Sequence, residues 1–278
     1  MGAHPRVLRT QAILDILTRK WWLYPLLLLL LFIPPYTSQG YDPRRTIDLV
    51  GEVLSGPLSN ALPPLMPVAK ILPLALVAGV FLYGNRMRRP FNVYMATLYM
   101  ALALFQTTAV TPTFGLVVIS GNLALVLVVA LSWIWEVAAE SNDFGPAEHQ
   151  LWRWWVAPLA LVALLEPVDV ATMSPDFSPV RLMTNEAGLS YCMMTPLVLA
   201  TLTLFHPRIN LAVLRVNSFV GIAFGTINMI VWFGLETWGW WMGVLHIPLL
   251  VLSLYAFLLA HGRGQQEVPR VASLPPEG

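Results

Sequence analysis

Long apolar stretches, each close to 20 residues, recur along the chain and constrain its fold more than any motif does. A helix needs about 20 consecutive apolar residues to cross a bilayer, and such stretches seldom recur in soluble proteins. With 57% apolar and 11% charged residues among 278, the chain has too few polar side chains to cover a soluble globule. The sequence therefore predicts an all-α fold, a polytopic integral membrane bundle of about eight transmembrane helices.

The eight spans are placed by apolar length and by the charged or proline-containing breaks between them. The second span carries Lys70 and Pro73, so its outer end is the least certain boundary and a seven-span arrangement stays open there. The first span follows a basic segment and has no small-x-small cleavage site at its exit, which indicates an uncleaved signal anchor. The predicted spans are 21–36, 66–83, 91–110, 114–135, 154–172, 188–205, 211–233 and 238–261.

The chain divides into three parts on this reading. Residues 1–20 form a cytoplasmic or interfacial segment, in which 7–17 is either a short interfacial helix or a frayed terminus. Residues 21–261 form the transmembrane domain. Residues 262–278 form a polar cytoplasmic tail with no periodicity, which predicts disorder. The one long external connection, about 37–64, has the pattern of an amphipathic helix on the outer surface, as a lid or as a connector.

Lysine and arginine are distributed unequally between the two sides of the predicted bundle. If the N-terminus is cytoplasmic, four of the 16 basic residues lie at or beyond the outer interface and the other 12 lie inside or at the inner interface. This excess predicts a multi-pass protein of the cytoplasmic (inner) cell membrane with both termini in the cytoplasm. The outer four are Arg44, Arg45, Lys70 and Arg181.

Once the spans are oriented, most polar side chains within them lie toward the outer side, and the inner half has little beyond Asn92 and Asn217. A polar group in hydrocarbon is costly, so each is a functional-site hypothesis. We predict an outward-facing polar pocket. Its candidate residues are Gln106, Asn122, Glu166, Asp169, Glu186, Asn228 and His246.

Glu166 is the sharpest of these candidates. A carboxylate about two turns inside the bilayer must be paired, line water or take a proton. Pro167 removes one backbone donor and bends the helix, and Asp169 lies one turn further on the same side. The alternative is that the fifth span ends at Glu166 and that both acids are ordinary loop residues.

The last two spans carry matching stripes of small and polar residues. Glycines spaced four apart permit close helix packing, and the stripes place Asn228 and His246 at similar depth. These two side chains either face a shared pocket or serve as interhelical hydrogen-bond partners. The stripes are Asn217, Gly221, Gly225 and Asn228 in the seventh span and Gly239, Gly243, His246, Leu250 and Ser253 in the eighth.

Several function classes have no support in the sequence. A net charge of +1 argues against nucleic acid as a partner, and the lone Cys192 excludes an intrachain disulfide. The scattered methionines favour core packing over a metal site, and no nucleotide-binding or serine-nucleophile motif is present, so no catalytic residue or cofactor is assigned.

Three classes stay open for this bilayer protein. A transporter or permease would bind a small-molecule ligand in the outer pocket, an assembly subunit would bind partner membrane subunits, and an intramembrane enzyme would use Glu166 or His246 as acid or base. The outer pocket favours small-molecule binding or transport, with the assembly subunit second.

Overall fold

Each of the eight predicted apolar stretches forms a helix over at least half of its length in the computed structural model, which describes residues 5–61, 63–146, 150–170 and 172–262. The helices are α1 (Pro5–Leu17), α2 (Leu23–Leu29), α3 (Thr46–Ser55), α4 (Met66–Tyr83), α5 (Arg88–Ala101), α6 (Ser120–Ala139), α7 (Val156–Leu165), α8 (Pro179–Thr184), α9 (Tyr191–Phe205), α10 (Leu211–Ile230) and α11 (Trp240–His261). The short strands are β1 (Tyr36–Thr37), β2 (Thr108–Thr111), β3 (Gly115–Val118), β4 (Val168–Asp169) and β5 (Ser174–Pro175).

Four helical segments in the described part of the chain are long and apolar enough to cross a membrane. The number is five if Pro179–Leu189 and α9, which meet at a bend of 86°, together count as one span. The all-helical membrane-type architecture is therefore supported, whereas the predicted eight spans are not confirmed. Two further segments, Leu23–Phe32 and Leu151–Leu165, are apolar but shorter. The four are Pro63–Gln106, Ser120–Ala139, Leu211–Leu235 and Thr237–His261.

The 44-residue segment Pro63–Gln106 is broken in its middle. Gly84 has φ 57° and ψ −130°, a conformation that an L side chain rarely adopts and that ends α4. A Cβ at Gly84 would also lie 2.9 Å from the carbonyl oxygen of Phe144. Glycine at this position therefore allows α4 to end and α5 to begin against the loop that follows α6.

Helix α9 lies at the centre of the bundle. Every residue from Tyr191 to Phe205 except Cys192 is buried, and α7, α10 and α11 all pack against it. A helix that is apolar on all sides is expected in such a central position. The core extends from it to α5 and α6, where Tyr99 and Trp133 stack with ring centroids 6.4 Å apart.

Glycines bring α10 and α11 together as the sequence predicts. A Cβ on Gly221 would lie 2.1 Å from Ser253 Oγ, and a Cβ on Gly225 would lie 3.0 Å from the Leu250 Cα. The Gly225 contact is with backbone and is tighter than most real Cβ contacts, whereas at Gly221 the Ser253 side chain would have to move, so both glycines favour close packing of the two helices. The predicted packing role of these two glycines is confirmed.

The helices connect two chemically different ends. The basic end is defined here by Arg88, Arg153, Arg208 and Arg215, which bond to the loop after α6, to the end of α9 and to the residue that follows α1. The sheet end is the opposite end, where β1, β3 and β2 form a three-stranded antiparallel sheet in that order. The polypeptide between α7 and α9 also lies there, since Gln106 at the end of α5 bonds to Tyr191.

The sheet corrects two predicted span boundaries. The predicted third and fourth spans include residues 108–110 and 115–118, but in the structure residues 108–111 pair with 115–118 as a β-hairpin. Their β-branched residues favour strands, and Gly115 at φ 68° serves the turn. The predicted amphipathic helix in the external connection is confirmed as α3, which packs Leu49 and Val53 on the hairpin.

The N-terminal segment is helical from Pro5 to Leu17, so the frayed-terminus alternative is wrong, whereas the position of this helix at the membrane interface stays a prediction. No residue of α1 is buried, and it contacts α6 and α10 at the basic end. The predicted disorder of the C-terminal tail falls on residues outside the described part of the chain, which ends at residue 262.

Candidate functional site

The turn that leads into α9 gathers the charged side chains of the sheet end. We call this site the α9 entrance and define it by Lys70, Glu166, Arg181, Glu186 and Cys192. It forms because α7 stops early: Glu166 adopts a left-handed conformation with φ 47°, and Pro167 cannot donate a backbone hydrogen bond. The predicted fifth span to residue 172 is therefore too long, since its helix ends at Leu165.

Glu166 is nevertheless not an ordinary loop residue, because only 7% of its surface is exposed. Lys70 on α4 is buried as well, and its Nζ donates to the carbonyl oxygens of Leu182 at 2.7 Å and Leu165 at 3.2 Å. The Asn185 side chain also donates to Leu165 and to Glu166. These donors satisfy the carbonyls that the end of α7 leaves without helical partners.

The charges at the α9 entrance balance but are loosely paired. Arg181 and Glu186 approach to 3.9 Å, and both are partly exposed. Lys70 and Glu166 attract one another, yet within the described residues neither belongs to an ion pair closer than 4 Å. A buried carboxylate and a buried ammonium without a close partner are costly to hold, and such charges commonly mark a binding site.

An apolar groove of about 390 Å³ adjoins these charges. It lies between α4 and the end of α7, and Lys70 stands at its wall. The surface of the groove is apolar throughout, because the Lys70 ammonium is turned to the carbonyls of Leu165 and Leu182. Such a groove suits the apolar part of a small molecule. The lining residues are Lys70, Ile71, Leu74, Ala75, Ala78, Leu164, Leu165 and Met183.

Four predicted site residues lie around the start of α9. Gln106 accepts a hydrogen bond from the Tyr191 backbone at 2.9 Å, and Asn228 donates to Cys192 Sγ at 3.7 Å. Glu166 acts electrostatically on the same cysteine, and Glu186 acts on Glu166. The helices α5, α7, α9 and α10 thus bring together side chains that are far apart in the sequence.

The other three predicted residues are placed differently. His246 is buried, and its Nδ1 donates to the carbonyl of Met242 on its own helix, whereas Asn228 bonds to Phe224, Trp232 and Cys192. No hydrogen bond joins His246 to Asn228 in the described structure. Asp169 lies in the β4–β5 hairpin, opposite Ser174. Asn122 lies in the first turn of α6, and within the described residues no hydrogen bond joins it to the α9 entrance.

A second polar cluster, at the basic end, was missed by the sequence reading. Glu136 is completely buried, and its carboxylate accepts from the Asn142 backbone at 2.7 Å, from Asn92 at 3.2 Å and from Asn210 at 2.6 Å. We call these four residues the Glu136 network. The expectation that the inner half has few polar groups is therefore wrong.

The Glu136 network is closed by bonds among its own members and to α1. Asn142 donates from Nδ2 to Asn92 and accepts from the Asn210 backbone, while Gln11 bonds to Asn210 and accepts from Trp135. Such fully bonded buried clusters hold one arrangement of their helices. The sequence feature that could have indicated this network is the recurrence of asparagine at or just beyond the basic end of three predicted spans.

The loop after α6 is held to the start of α10 by an ion pair outside the spanning helices. Asp143 accepts from the Arg208 guanidinium, from Asn85 at 2.7 Å and from the Gly145 backbone at 2.9 Å. Desolvation by burial raises the pKa of Asp143, but the hydrogen bonds and charge of Arg208 outweigh it and lower the pKa to about 2. The pair therefore stays ionised at neutral pH.

No known family, curated protein or solved structure matches the chain. Within the described residues, no three histidine, cysteine or acidic side chains gather in a way that could hold a metal ion. The α9 entrance and its groove are therefore assessed on their own geometry, and the chemistry they offer is the binding of charge beside an apolar surface.

Proposed function

We propose that this chain is a multi-pass membrane protein that binds a small amphiphilic molecule at the α9 entrance, as a transporter or permease-like binding protein does. The observation that carries the proposal is the buried, loosely paired charge of Lys70 and Glu166 beside the apolar groove. The charged head of an amphiphilic ligand would pair with these buried charges, and its apolar tail would fill the groove. The partly exposed Arg181 and Glu186 lie where such a head group would enter.

The proposed topology is eight crossings with both termini in the cytoplasm of the inner cell membrane. It is supported by the break at Gly84, which divides the longest apolar segment, and by the apolar segments Leu23–Phe32 and Leu151–Leu165. The arginines of the basic end favour the cytoplasmic side for that end. The α9 entrance then opens toward the outer half of the bilayer and receives its ligand from there.

The test uses a fluorescent lysophospholipid with a zwitterionic head group as the probe. Ala75→Trp fills the groove and is expected to weaken probe binding to the purified full-length protein about tenfold or more, since the tail loses its place. Leu82→Trp is the matched control, because Leu82 lies on the same helix, is exposed and is not part of the groove. Equal affinity of the two variants would reject the groove as the binding site.

An assembly subunit is the second candidate, and one observation favours it. Four large apolar side chains of the sheet end, Ile47, Val110, Phe177 and Val180, are each at least 64% exposed on elements outside the long apolar helices. Exposed apolar patches of this kind often bind another protein. Purification in mild detergent separates the candidates: a stoichiometric membrane protein that is lost on Val110→Lys favours assembly, and a retained amphiphile lost on Ala75→Trp favours binding.

A further inference from the structure

Helix α1 has two faces, and only one is explained by its contacts with the bundle. Gln11 bonds to Asn210 and Trp135, and Asp15 lies 3.6 Å from the buried Arg215. These residues are spaced by four and share one side of the helix. They attach α1 to the Glu136 network and to α10.

The opposite face carries cations and large apolar side chains. Arg9, Ile13 and Ile16 follow the spacing of four and three that defines one helical stripe, and Lys20 follows in the turn after the helix. All four are exposed, and more than half of each isoleucine surface is uncovered. An apolar surface of this kind is not expected to face water without a partner.

Two isoleucines flanked by cations suit the boundary between lipid head groups and acyl chains. Isoleucine inserts among the acyl chains, while long basic side chains extend to the phosphates. The single acid between residues 5 and 17 is Asp15, which is turned toward Arg215, so the outward face carries positive charge only. This charge selects anionic over zwitterionic head groups.

We propose that the outward face of α1, formed by Arg9, Ile13, Ile16 and Lys20, binds anionic phospholipid head groups at the basic end. The site is separate from the α9 entrance, which lies at the opposite end of the bundle. Because Gln11 and Asp15 attach the other face of α1 to α6 and α10, the bound lipid lies on the side of α1 that faces away from the bundle. Failure of amphiphile binding in the groove would leave this site untouched.

The experiment measures lipid retention by native mass spectrometry of the full-length protein in detergent. Phosphatidylglycerol and phosphatidylcholine with identical acyl chains are added in equal amounts. Each basic residue at an anionic surface contributes a factor of about five, so Arg9→Gln with Lys20→Gln should lower phosphatidylglycerol affinity roughly 10- to 30-fold. Arg44→Gln with Arg45→Gln removes the same charge at the sheet end and should leave it unchanged.

Two outcomes overturn the proposal. One is equal retention of both lipids by the unmodified protein, and the other is the same loss in both double variants, which would reflect net charge alone. If the double variant Arg9→Gln with Lys20→Gln does not fold, lipid retention by the unmodified protein is measured at increasing salt concentrations instead. Retention of phosphatidylglycerol should then fall with rising ionic strength while that of phosphatidylcholine does not, and a salt-independent preference rejects the site.

Discussion

The two ends of the bundle bury charge in different ways. At the basic end, the Glu136 carboxylate accepts three hydrogen bonds from the backbone and side chains of residues on three separate segments. At the sheet end, Lys70 bonds to backbone carbonyls and Glu166 has no ion-pair partner within 4 Å among the described residues. Protein groups alone satisfy the first carboxylate, and we propose that a ligand completes the second arrangement.

This difference separates a structural role from a binding role. A buried polar group whose bonds are all made fixes the packing around it, and loss of any partner is costly. Burial of a charge has an unfavourable desolvation free energy, and weak pairing offsets only part of it, so a bound ligand can offset the remainder. We therefore expect substitutions at the Glu136 network to act on stability and substitutions at the α9 entrance to act on binding.

The largest expected effect is at Glu136. Glu136→Ala leaves the donors of Asn92, Asn142 and Asn210 buried without an acceptor, which should destabilise the fold by about 3 kcal/mol or more. The measurement is the unfolding midpoint and folded yield in detergent. Glu140→Ala is the control, because its pair with Arg88 is partly exposed and contributes about 1 kcal/mol at most. Similar losses in both variants would remove the contrast between the ends.

The next effect concerns the packing of α10 on α11, which is independent of charge. Gly225→Leu places side-chain atoms where Leu250 already lies, and should cost about 2 kcal/mol of stability. Gly51→Leu in α3 serves as the control, since nothing lies within 4 Å of its added Cβ, and helix propensity there favours leucine. Thermal unfolding in detergent measures both, and a tolerated Gly225→Leu would refute the close approach.

A smaller effect on stability is expected at the α9 entrance. Glu166→Gln keeps the shape of the side chain and removes a weakly paired buried charge, so stability should change by less than about 1 kcal/mol. Binding of the zwitterionic lysophospholipid probe should nevertheless weaken several-fold. If instead Glu166→Gln unfolds the protein as Glu136→Ala does, the two ends bury charge in the same way.

The smallest effect is the pH dependence of the Asp143–Arg208 pair. The folded pKa of Asp143, about 2, lies below its ordinary value of 3.8, so the stabilisation is present above pH 4 and is lost as pH falls toward 2. Both side chains are at least one-third exposed, so solvent screening keeps the contribution small. In the Arg208→Gln variant, the unfolding midpoint should fall less steeply between pH 4 and pH 2 than in the unmodified protein. The same dependence of the midpoint on pH in both proteins would contradict this assignment.

The helices could be predicted from sequence because apolar length is a local property. The break between α4 and α5 follows from the arginine-rich turn, and α3 follows from its amphipathic pattern. The hairpin of β2 and β3 was missed because its apolar residues suit a helix end as well as a strand. The short run with Pro112 and Gly115 carries the turn signal that distinguishes the two.

The sites were less predictable because they depend on which helices are neighbours. Glu136 lies one residue beyond the predicted end of the fourth span, and only the fold brings Asn92, Asn142 and Asn210 to it. In the sequence, Lys70 only makes the outer end of the second span uncertain. In the structure it bonds to carbonyls of residues 95 and 112 positions further along the chain. Contacts at such separations leave no periodic trace in a single sequence.

The enclosure of α9 has a consequence for synthesis, because α10 and α11 emerge from the ribosome only after it. Until they arrive, the sides of α9 that pack against them are uncovered. Its threonines are suited to that interval: Thr201 and Thr203 donate to carbonyls of their own helix, at Leu197 and Ala200. Thr195 instead meets Tyr99 of α5, which is made earlier. These threonine hydroxyl groups therefore need no later helix, whereas the Tyr191 hydroxyl donates to the Asn217 carbonyl of α10 and gains that partner only when α10 is made.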